Sequence, residues 1–215
     1  MALIIASLVI AIALWIFLPL AFLSLMRKIG QPITPGDRPH WASREQNPTR
    51  QSHETKIGNL MVRLITGDLF ACESPAIGHG VNTRGLMGAG IAKQIRARYP
   101  GVYAEYKTAC RTGSLTVGQA HLFHPQEPGK PVLVNLATQD DIGARARLEW
   151  IWFSLIDAGR KLSDLGIAEL AIPRIGCGIG GLDFGHVLYE IESASQSVNF
   201  DIHVYTPATS PTLVW

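Results

Sequence analysis

Two glycine-rich segments carry the clearest chemical signal in the sequence. One runs Asn82-Thr-Arg-Gly-Leu-Met-Gly-Ala-Gly-Ile-Ala92, and the other runs Pro173-Arg-Ile-Gly-Cys-Gly-Ile-Gly-Gly-Leu182. Glycine lets consecutive backbone N–H groups turn toward one ligand, and a helix N-terminus beside such a loop adds about half a positive charge. Each segment lies between a predicted strand and a predicted helix. Both are therefore candidate anion-binding loops, although a tight turn without a ligand would also use glycine.

Two such loops at one sheet edge favour a ligand with two adjoining phosphates. The sequence has no GxxxxGK[ST] motif, which excludes a P-loop NTPase. Residues 176–181 match the GxGxxG pattern, but a dinucleotide-binding fold places that loop after its first strand and an acidic residue about 20 positions later, at the end of the next strand. Here only one predicted strand follows, and Asp201 stands at its beginning. A nucleotide oxidoreductase is thus the weakest alternative.

The elements that must position these loops alternate between strands and helices from about Ile57 onward. The predicted strands are Val62–Thr66, Ala76–Val81, Gln119–Phe123, Pro131–Thr138, Ala168–Ile172 and Asp201–Thr206. Apolar residues at helical spacing predict helices around residues 91–99, 148–162 and 187–198, with a shorter one over Tyr103–Arg111. This alternation predicts a three-layer α/β/α sandwich with a mixed, largely parallel central sheet. Ligands of such sheets bind beyond the carboxyl ends of the strands.

The N-terminal stretch is uninterrupted and apolar. Residues 2–25 carry no charge, and as a helix they would span about 36 Å, enough to cross a hydrocarbon core of about 30 Å. A cleavable signal peptide would have basic residues before a shorter apolar run, and a buried core helix is rarely this long. We therefore predict one transmembrane helix over residues 1–26, bound to the lipid bilayer. The first charges, Arg27 and Lys28, follow it, which predicts a single-pass protein with its C-terminal domain in the cytoplasm.

Composition divides the rest of the chain into a tether and one domain. Residues 27–56 contain four prolines and many polar residues without an apolar period, which is typical of a tether. Residues 57–215 form the predicted domain and carry 13 basic and 14 acidic side chains, a balance that argues against a broad nucleic-acid-binding surface. The three cysteines are far apart and form no CxxC motif, so we expect neither a metal site nor a disulfide framework.

Three motifs together resemble those of the macrodomains, a family of modules that bind ADP-ribose. Gly67-Asp-Leu-Phe70 resembles the GD(I/L) element of that family, residues 82–92 resemble its distal-ribose loop, and residues 173–182 resemble its diphosphate loop. The resemblance covers about Met61–Thr206 and keeps all three motifs in order. It is closest to the branch of the terminal ADP-ribose protein glycohydrolases and ADP-ribose-1″-phosphatases. A macrodomain fold and ADP-ribose binding, without a cofactor, are what this resemblance implies.

The resemblance also implies roles for individual residues in ligand binding. Asp68 would accept a hydrogen bond from the adenine amino group, and Tyr205 or Phe70 would stack on the ring. Either aromatic residue could equally belong to the core, and Asp68 could simply cap a turn. The full set of implied ligand-binding positions is Asp68, Leu69, Asn82, Gly88, Ala89, Gly90, Ile91, Ile175, Gly176, Cys177, Gly178, Ile179, Gly180, Gly181 and Tyr205.

Three residues are candidates for catalysis. His79 matches the position of a catalytic histidine in the phosphatase branch, and a histidine with a near-neutral pKa could act as nucleophile or as general acid and base. Asn82 would face the distal ribose and orient a water molecule, while Asp140 could orient the histidine or that water. A strand histidine is also often a core residue, and Asn82 and Asp140 could be ordinary turn residues.

Two departures from the glycohydrolase pattern bear on the mechanism. That type of enzyme carries a lysine nucleophile where this chain reads Gln139, and an aspartate where it reads Gly180. An amide cannot form the covalent sugar adduct expected of an amine, so a covalent mechanism is not expected. The sequence thus predicts a membrane-anchored macrodomain that hydrolyses an ADP-ribose derivative at its distal ribose, either a phosphate ester or a link to a macromolecule. The alternative is a non-catalytic reader that recruits ADP-ribosylated partners to the membrane.

Overall fold

The computed structural model describes residues 55–57 and 60–208. The predicted anchor and residues 27–54 of the predicted tether lie outside the described residues. The fold given below is that of these described residues. Within the part of the chain that the structure describes, no helix is both long enough and apolar enough to cross a membrane.

Seven strands form one mixed sheet. Their bounds are β1 Thr55–Ile57, β2 Leu60–Thr66, β3 Ala76–Asn82, β4 Ala120–Phe123, β5 Val132–Gln139, β6 Glu169–Pro173 and β7 Asp201–Thr206. Their order across the sheet is β1-β2-β7-β6-β3-β5-β4. The five central strands run parallel, while β1 and β4 pair antiparallel at the two edges. The central strands read as nearly continuous apolar runs because helices cover both of their faces.

Four helices lie between strands along the chain, two of them between β3 and β4 and one in each of the next two parallel connections. Their bounds are α1 Gly90–Arg98, α2 Pro100–Thr112, α3 Leu148–Ser163 and α4 Phe184–Val198. Alternate residues of β3 and β5 point to opposite sides of the sheet. Val81 and Ala137 pack with Tyr106 of α2, whereas the other face carries α3 and α4, whose mutual contact includes the hydrogen bond from Trp152 Nε1 to Ser193 Oγ at 2.8 Å. The predicted three-layer α/β/α fold is confirmed.

Two elements differ from the sequence expectation. Residues 55 and 56, which we assigned to the tether, belong to β1, which pairs with β2 from Thr55 to Ile57. Three residues are too short to show a period, so composition alone placed the boundary too late. The helix expected over Tyr103–Arg111 begins earlier, at Pro100, and ends at Thr112 before Gly113, which has a φ of 73°. Proline at the first helical position and glycine after the last explain both limits.

Candidate functional site

Four segments lie at the carboxyl edge of the parallel strands. They are the β2 turn (residues 67–71), the β3–α1 loop (residues 83–89), the β5–α3 loop (residues 140–147) and the β6–α4 loop (residues 174–183). Because β2, β3, β5 and β6 run in the same direction, these segments follow strand ends at one edge of the sheet. Three of the four contain the motifs that the sequence singled out.

The β6–α4 loop is a compact turn in which three of the four glycines meet steric or conformational constraints. Gly176 and Gly181 have φ angles of 74° and 79°, in the left-handed region. A Cβ added to Gly180 would lie 2.6 Å from the carbonyl oxygen of Gly176 and 2.8 Å from the Cβ of Ala146. Around Gly178 there is open space within 4 Å of such a position. Gly176, Gly180 and Gly181 therefore let the loop pack tightly on its inner side, while its outer side is open at Gly178.

Cys177 lies at this loop but is a poor nucleophile. Its thiol lies 3.3 Å from the carbonyl oxygen of Ile175. Burial raises the pKa of the Cys177 thiol to about 11, although Arg174 opposes that shift. The thiolate is thus scarce at neutral pH, and the backbone N–H of Cys177 donates to the carbonyl oxygen of Arg174 within the loop.

The β3–α1 loop is held in shape by the side chain of Asn82. Its Oδ1 accepts hydrogen bonds from the backbone N–H of Arg84 at 3.0 Å and of Leu86 at 3.2 Å, and its Nδ2 donates to the carbonyl oxygen of Leu86 at 2.8 Å. The hydroxyl oxygen of Tyr106 lies 2.5 Å from the carbonyl oxygen of Asn82 and 3.0 Å from its Oδ1. Asn82 is 6% exposed. The amide therefore shapes the loop, which differs from the direct contact with ribose that we expected.

The same loop leads into the N-terminus of α1. Ala89 is the cap residue and supplies no side-chain hydrogen bond to the first turn. Gly90 has a φ of 56°, and a Cβ added to Gly88 would have open space within 4 Å. The first N–H groups of a helix have no intrahelical acceptor, so in the absence of a side-chain cap they are suited to an anion.

The β5–α3 loop joins the two glycine-rich loops. On one side, Thr83 Oγ1 donates to the carbonyl oxygen of Asp140 at 3.0 Å, and Arg84 Nε lies 3.7 Å from Asp141 Oδ1. On the other side, Cβ atoms added to Gly180 and Gly181 would lie 2.8 and 2.9 Å from the Cβ atoms of Ala146 and Ala144. Both glycine-rich loops thus border the same loop. The structure brings them together at the carboxyl edge of the sheet, which is called the cleft edge below.

The β2 turn lies against the N-terminal part of α1. Asp68 Oδ1 accepts a hydrogen bond from the N–H of Phe70 at 2.9 Å and caps a short 3-10 helix, Leu69–Ala71. Leu69 is buried in a cluster against which Ile91 and Tyr205 pack. Asp68 itself is exposed. Its carboxylate therefore caps the turn, as the alternative expectation held, and still faces solvent at the edge where adenine was expected.

The two aromatic candidates for adenine stacking lie in different places. Tyr205 is on β7, one residue from its carboxyl end, beside Pro173. Phe70 packs against a core cluster that contains Phe123 and Leu133, and the guanidinium of Arg98 lies 4.0 Å from its ring centroid. Leu133 is near the amino end of β5, so Phe70 points away from the cleft edge. Of the two residues, Tyr205 is the one at the carboxyl edge of the sheet, and its stacking on adenine stays a prediction.

His79 lies inside the molecule. It is fully buried, and its Nε2 is 2.9 Å from Oδ1 of Asn135 on β5. Nδ2 of Asn135 lies 3.2 Å from Nδ1 of His121. Nδ1 of His79 is a buried atom without a hydrogen-bond partner among the described residues. Burial lowers the pKa of His79 to about 4, against the effect of the Asn135 hydrogen bond. The imidazole is therefore neutral and enclosed, and a direct catalytic contact by His79 stays a prediction that this burial disfavours.

Asp140 is committed to an ion pair. Arg145 donates to both carboxylate oxygens, from Nε at 2.7 Å and from Nη2 at 2.6 Å. The hydrogen bonds from Arg145 lower the pKa of Asp140 to about 2. A carboxylate held in this way is a weak base. The ion pair joins the two ends of the β5–α3 loop. The predicted role of Asp140 in orienting His79 finds no support, because His79 is enclosed inside the molecule.

Several rim residues carried no signal in the sequence. Ala144 and Ala146 form the wall against which the second glycine loop packs, and alanine in a loop has no pattern. Leu86, Ile142 and Ile179 are large apolar side chains that are 48–60% exposed, one on each of three rim loops. Their surroundings become visible only when the loops are assembled. Among the described residues, no group of three His, Cys, Asp or Glu side chains could hold a metal ion.

This fold and these loops define an α/β module of the macrodomain class. The Macro domain family model matches residues 79–189, and the chain belongs to that family. The family expected from the three motifs is thereby confirmed.

Named relatives fall in the branch that the motifs indicated. A DNA ADP-ribosyl glycohydrolase of Mycobacterium tuberculosis is 35% identical over 150 residues, which cover 69% of this chain and 43% of that protein. An ADP-ribose 1″-phosphate phosphatase of Candida albicans is 27% identical and is covered to 99% of its length by 67% of this chain. The macrodomain of Mycobacterium tuberculosis DarG superposes with a TM-score of 0.64 at 34% identity, covering 69% of this chain and 99% of that one. The chain spans less than half the length of its mycobacterial relatives.

Proposed function

We propose that the cleft edge binds ADP-ribose in an extended pose. The adenine lies at Asp68, Leu69 and Tyr205, the diphosphate lies against the backbone of residues 175–181, and the distal ribose lies at the β3–α1 loop, including Gly88–Ile91. The observation that carries this proposal is the shared border of the two glycine-rich loops. Thr83 and Arg84 bind the β3–α1 loop to the β5–α3 loop through a hydrogen bond and an ion pair. Gly180 and Gly181 let the β6–α4 loop pack against the same β5–α3 loop.

The same site acts as a hydrolase on an ADP-ribose derivative. A water oxygen bonds to C1″ of the distal ribose while the bond from C1″ to the attached group breaks, and the departing group takes up a proton. With His79 enclosed and Asp140 paired, the base is a phosphate oxygen of the substrate itself. Support comes from the relatives, which are named as glycohydrolases and as a phosphatase of ADP-ribose compounds.

A reader without turnover is the second candidate, and a specific observation favours it. The lysine of the glycohydrolase type is replaced by Gln139, whose Nε2 donates to the carbonyl oxygen of Asp141 at 2.7 Å. Of the candidate catalytic residues, His79 is enclosed and Asp140 is paired with Arg145, so neither offers a strong base at the cleft. A reader would keep the binding loops and lose only the chemistry.

One set of measurements separates the two candidates. The full chain in detergent micelles is titrated with ADP-ribose, AMP and NAD by calorimetry. It is then incubated with ADP-ribose-1″-phosphate, an ADP-ribosylated protein and an ADP-ribosylated oligonucleotide. Tight binding of ADP-ribose with release of free ADP-ribose from one substrate supports the hydrolase, and binding without release supports the reader. Failure to bind ADP-ribose would refute both.

We also propose that residues 2–25 anchor this domain to a bilayer, with the domain on the cytoplasmic side. The support is the uncharged apolar length of that segment and the basic residues that follow it. Alkaline extraction of membranes that contain the full chain tests the anchoring. Release of the protein into the supernatant would contradict it, and protease accessibility of the domain in sealed vesicles reports its side.

A further inference from the structure

Charge is unevenly distributed over the domain although its sum is near zero. Residues 84–111 contain six basic side chains and one acidic side chain, while the rest of residues 57–215 contain seven basic and thirteen acidic ones. The basic residues of this stretch are Arg84, Lys93, Arg96, Arg98, Lys107 and Arg111. The near-neutral total therefore conceals a basic region on helices α1 and α2.

Four of these residues form one basic stripe, defined as Lys93, Arg96, Lys107 and Arg111. The guanidinium of Arg96 lies 4.2 Å from the ring centroid of Tyr103, and Tyr103, Lys107 and Arg111 follow one another at intervals of four on α2. Residues four apart share a helix face. Lys93 is one turn before Arg96 on α1. The stripe therefore crosses from one helix to the other along a single surface.

The stripe has little internal neutralisation. All four of its side chains are exposed, and within the described ranges none has a carboxylate at ion-pair distance, whereas Arg84 has Asp141. Glu105 is the acidic residue of α2. Its charge acts on His121 of β4, so Glu105 faces β4 and not the stripe. An unneutralised row of cations favours an anionic partner.

The stripe begins beside the proposed distal-ribose loop. A Cβ added to Gly85 would lie 3.4 Å from Cγ of Lys107, so the stem of this lysine packs on the β3–α1 loop. α2 runs back toward the carboxyl edge, which brings Arg111 to the same end. From Tyr103, over which the guanidinium of Arg96 lies, to Arg111 the helix rises about 12 Å. At about 3.4 Å per phosphate in one stacked strand, that length corresponds to three or four phosphates.

We propose that the basic stripe docks the phosphodiester backbone of a nucleic acid whose ADP-ribose modification occupies the cleft. This inference rests on the proposed function, because it uses the attached end of the ligand, at the distal ribose, as its starting point. The surface is local and one-sided, which is compatible with the absence of a broad nucleic-acid-binding face. Phosphates along the stripe fix the direction in which the carrier leaves the cleft, and they add affinity that free ADP-ribose cannot provide.

The test compares ligands that differ only in the carrier. The full chain is titrated in detergent micelles with free ADP-ribose, with a single-stranded oligonucleotide bearing one ADP-ribose, and with a peptide bearing one ADP-ribose, at several salt concentrations. A triple variant replaces Arg96, Lys107 and Arg111 by Gln. A matched control replaces three exposed basic residues outside the stripe, Arg63, Lys130 and Arg160, by Gln.

The expected result is specific to the modified oligonucleotide. Each lost phosphate contact lowers the slope of log affinity against log salt by about 0.7 for a single strand, so the triple variant should lose about 2 from that slope and at least about tenfold in affinity near 0.1 M salt. Its affinity for free ADP-ribose should stay within about twofold, which also shows that the variant is folded. The control variant should behave as the wild type.

Three outcomes would overturn the inference. The first is an oligonucleotide that binds no tighter than free ADP-ribose, the second is a control variant that loses as much affinity as the stripe variant, and the third is a modified peptide that gains as much affinity as the oligonucleotide. In each case ADP-ribose binding itself stands. If free ADP-ribose does not bind at all, the proposed function fails and this inference fails with it.

Discussion

Asn82 and Leu86 are joined by two hydrogen bonds between the side-chain amide of the first and the backbone N–H and C=O of the second. Nδ2 of Asn82 donates to the carbonyl oxygen of Leu86 at 2.8 Å, and Oδ1 accepts from the Leu86 N–H at 3.2 Å. This pairing closes the β3–α1 loop immediately after the strand. The loop conformation thus depends on a buried amide rather than on glycine alone.

Replacing Asn82 should therefore affect the loop before it affects any chemistry. We expect Asn82→Ala to lower the free energy of unfolding by about 1–3 kcal/mol, because buried backbone partners lose their hydrogen bonds. Affinity for ADP-ribose should fall with it. Asn82→Asp keeps the acceptor oxygen but places a buried carboxylate oxygen against the carbonyl oxygen of Leu86, so its stability should fall at least as far as that of Asn82→Ala. Urea denaturation and calorimetry check both; unchanged stability in Asn82→Ala would contradict a role in loop closure.

The second glycine loop allows a matched pair of substitutions. In Gly180→Ala, the new methyl group would overlap the carbonyl oxygen of Gly176 and the Cβ of Ala146. We expect a loss of about 1–3 kcal/mol in stability from this overpacking, together with at least tenfold weaker ADP-ribose binding. Gly178→Ala adds a methyl group in open space and should leave the free energy of unfolding within about 0.5 kcal/mol of wild type. Equal stability of the two variants would argue against the packed loop.

The sheet and helices followed from patterns that burial imposes. All six predicted strands occur, and β7 has the predicted bounds, Asp201–Thr206. Buried parallel strands are apolar along their whole length, and each is bounded by glycine, proline or a polar turn, which made them visible. β1 was missed because three edge residues next to a polar segment have no such signature.

The site was only partly predictable because residue type indicates chemistry and not access. The glycine-rich loops could be placed, since two strand-to-helix turns in a parallel sheet must reach the same edge. Whether His79 pointed to that edge or into the α1–α2 layer depended on the strand register, which pairs it with Asn135. Nor could the sequence show that Arg145 occupies both oxygens of Asp140, since the four loop residues between them have no pattern.

The enclosed His79 predicts an acid-sensitive fold. Its pKa is about 4 in the folded state and about 6.5 in the unfolded chain. Between these values the unfolded state binds more protons, so stability is full above about pH 6.5 and decreases as the pH falls toward 4. The integrated loss is about 3 kcal/mol. Urea denaturation at a series of pH values measures it.

Two variants isolate this contribution. His79→Gln retains an N–H that can reach Asn135 but does not titrate, so its stability should change less between pH 6.5 and 4 than that of the wild type. His124→Gln makes the same change at an exposed position and controls for the substitution itself. Turnover per folded molecule should survive His79→Gln if the imidazole never touches substrate. A complete loss of turnover in a stably folded His79→Gln protein would instead restore the catalytic role.

Gln139 is the position at which turnover should be most easily changed. It pairs in register with Asn82 at the carboxyl ends of β3 and β5, next to the loop proposed for the distal ribose. The glycohydrolase type that this chain resembles has a lysine there, and an amine can attack C1″ where an amide cannot. We expect Gln139→Lys to raise release of ADP-ribose from an ADP-ribosylated substrate at least tenfold and to form an adduct that borohydride traps.

Gln139→Arg is the control for this gain, because it adds the same positive charge without a nucleophile. Both variants lose the hydrogen bond from Gln139 to the carbonyl oxygen of Asp141, so a shared effect would reflect loop rearrangement or charge. A gain confined to the lysine variant, with a trapped adduct, means that the cleft already holds C1″ within reach of residue 139. If neither variant gains turnover while ADP-ribose still binds, the distal ribose does not lie at the β3–α1 loop, and the proposed orientation of the ligand must be abandoned.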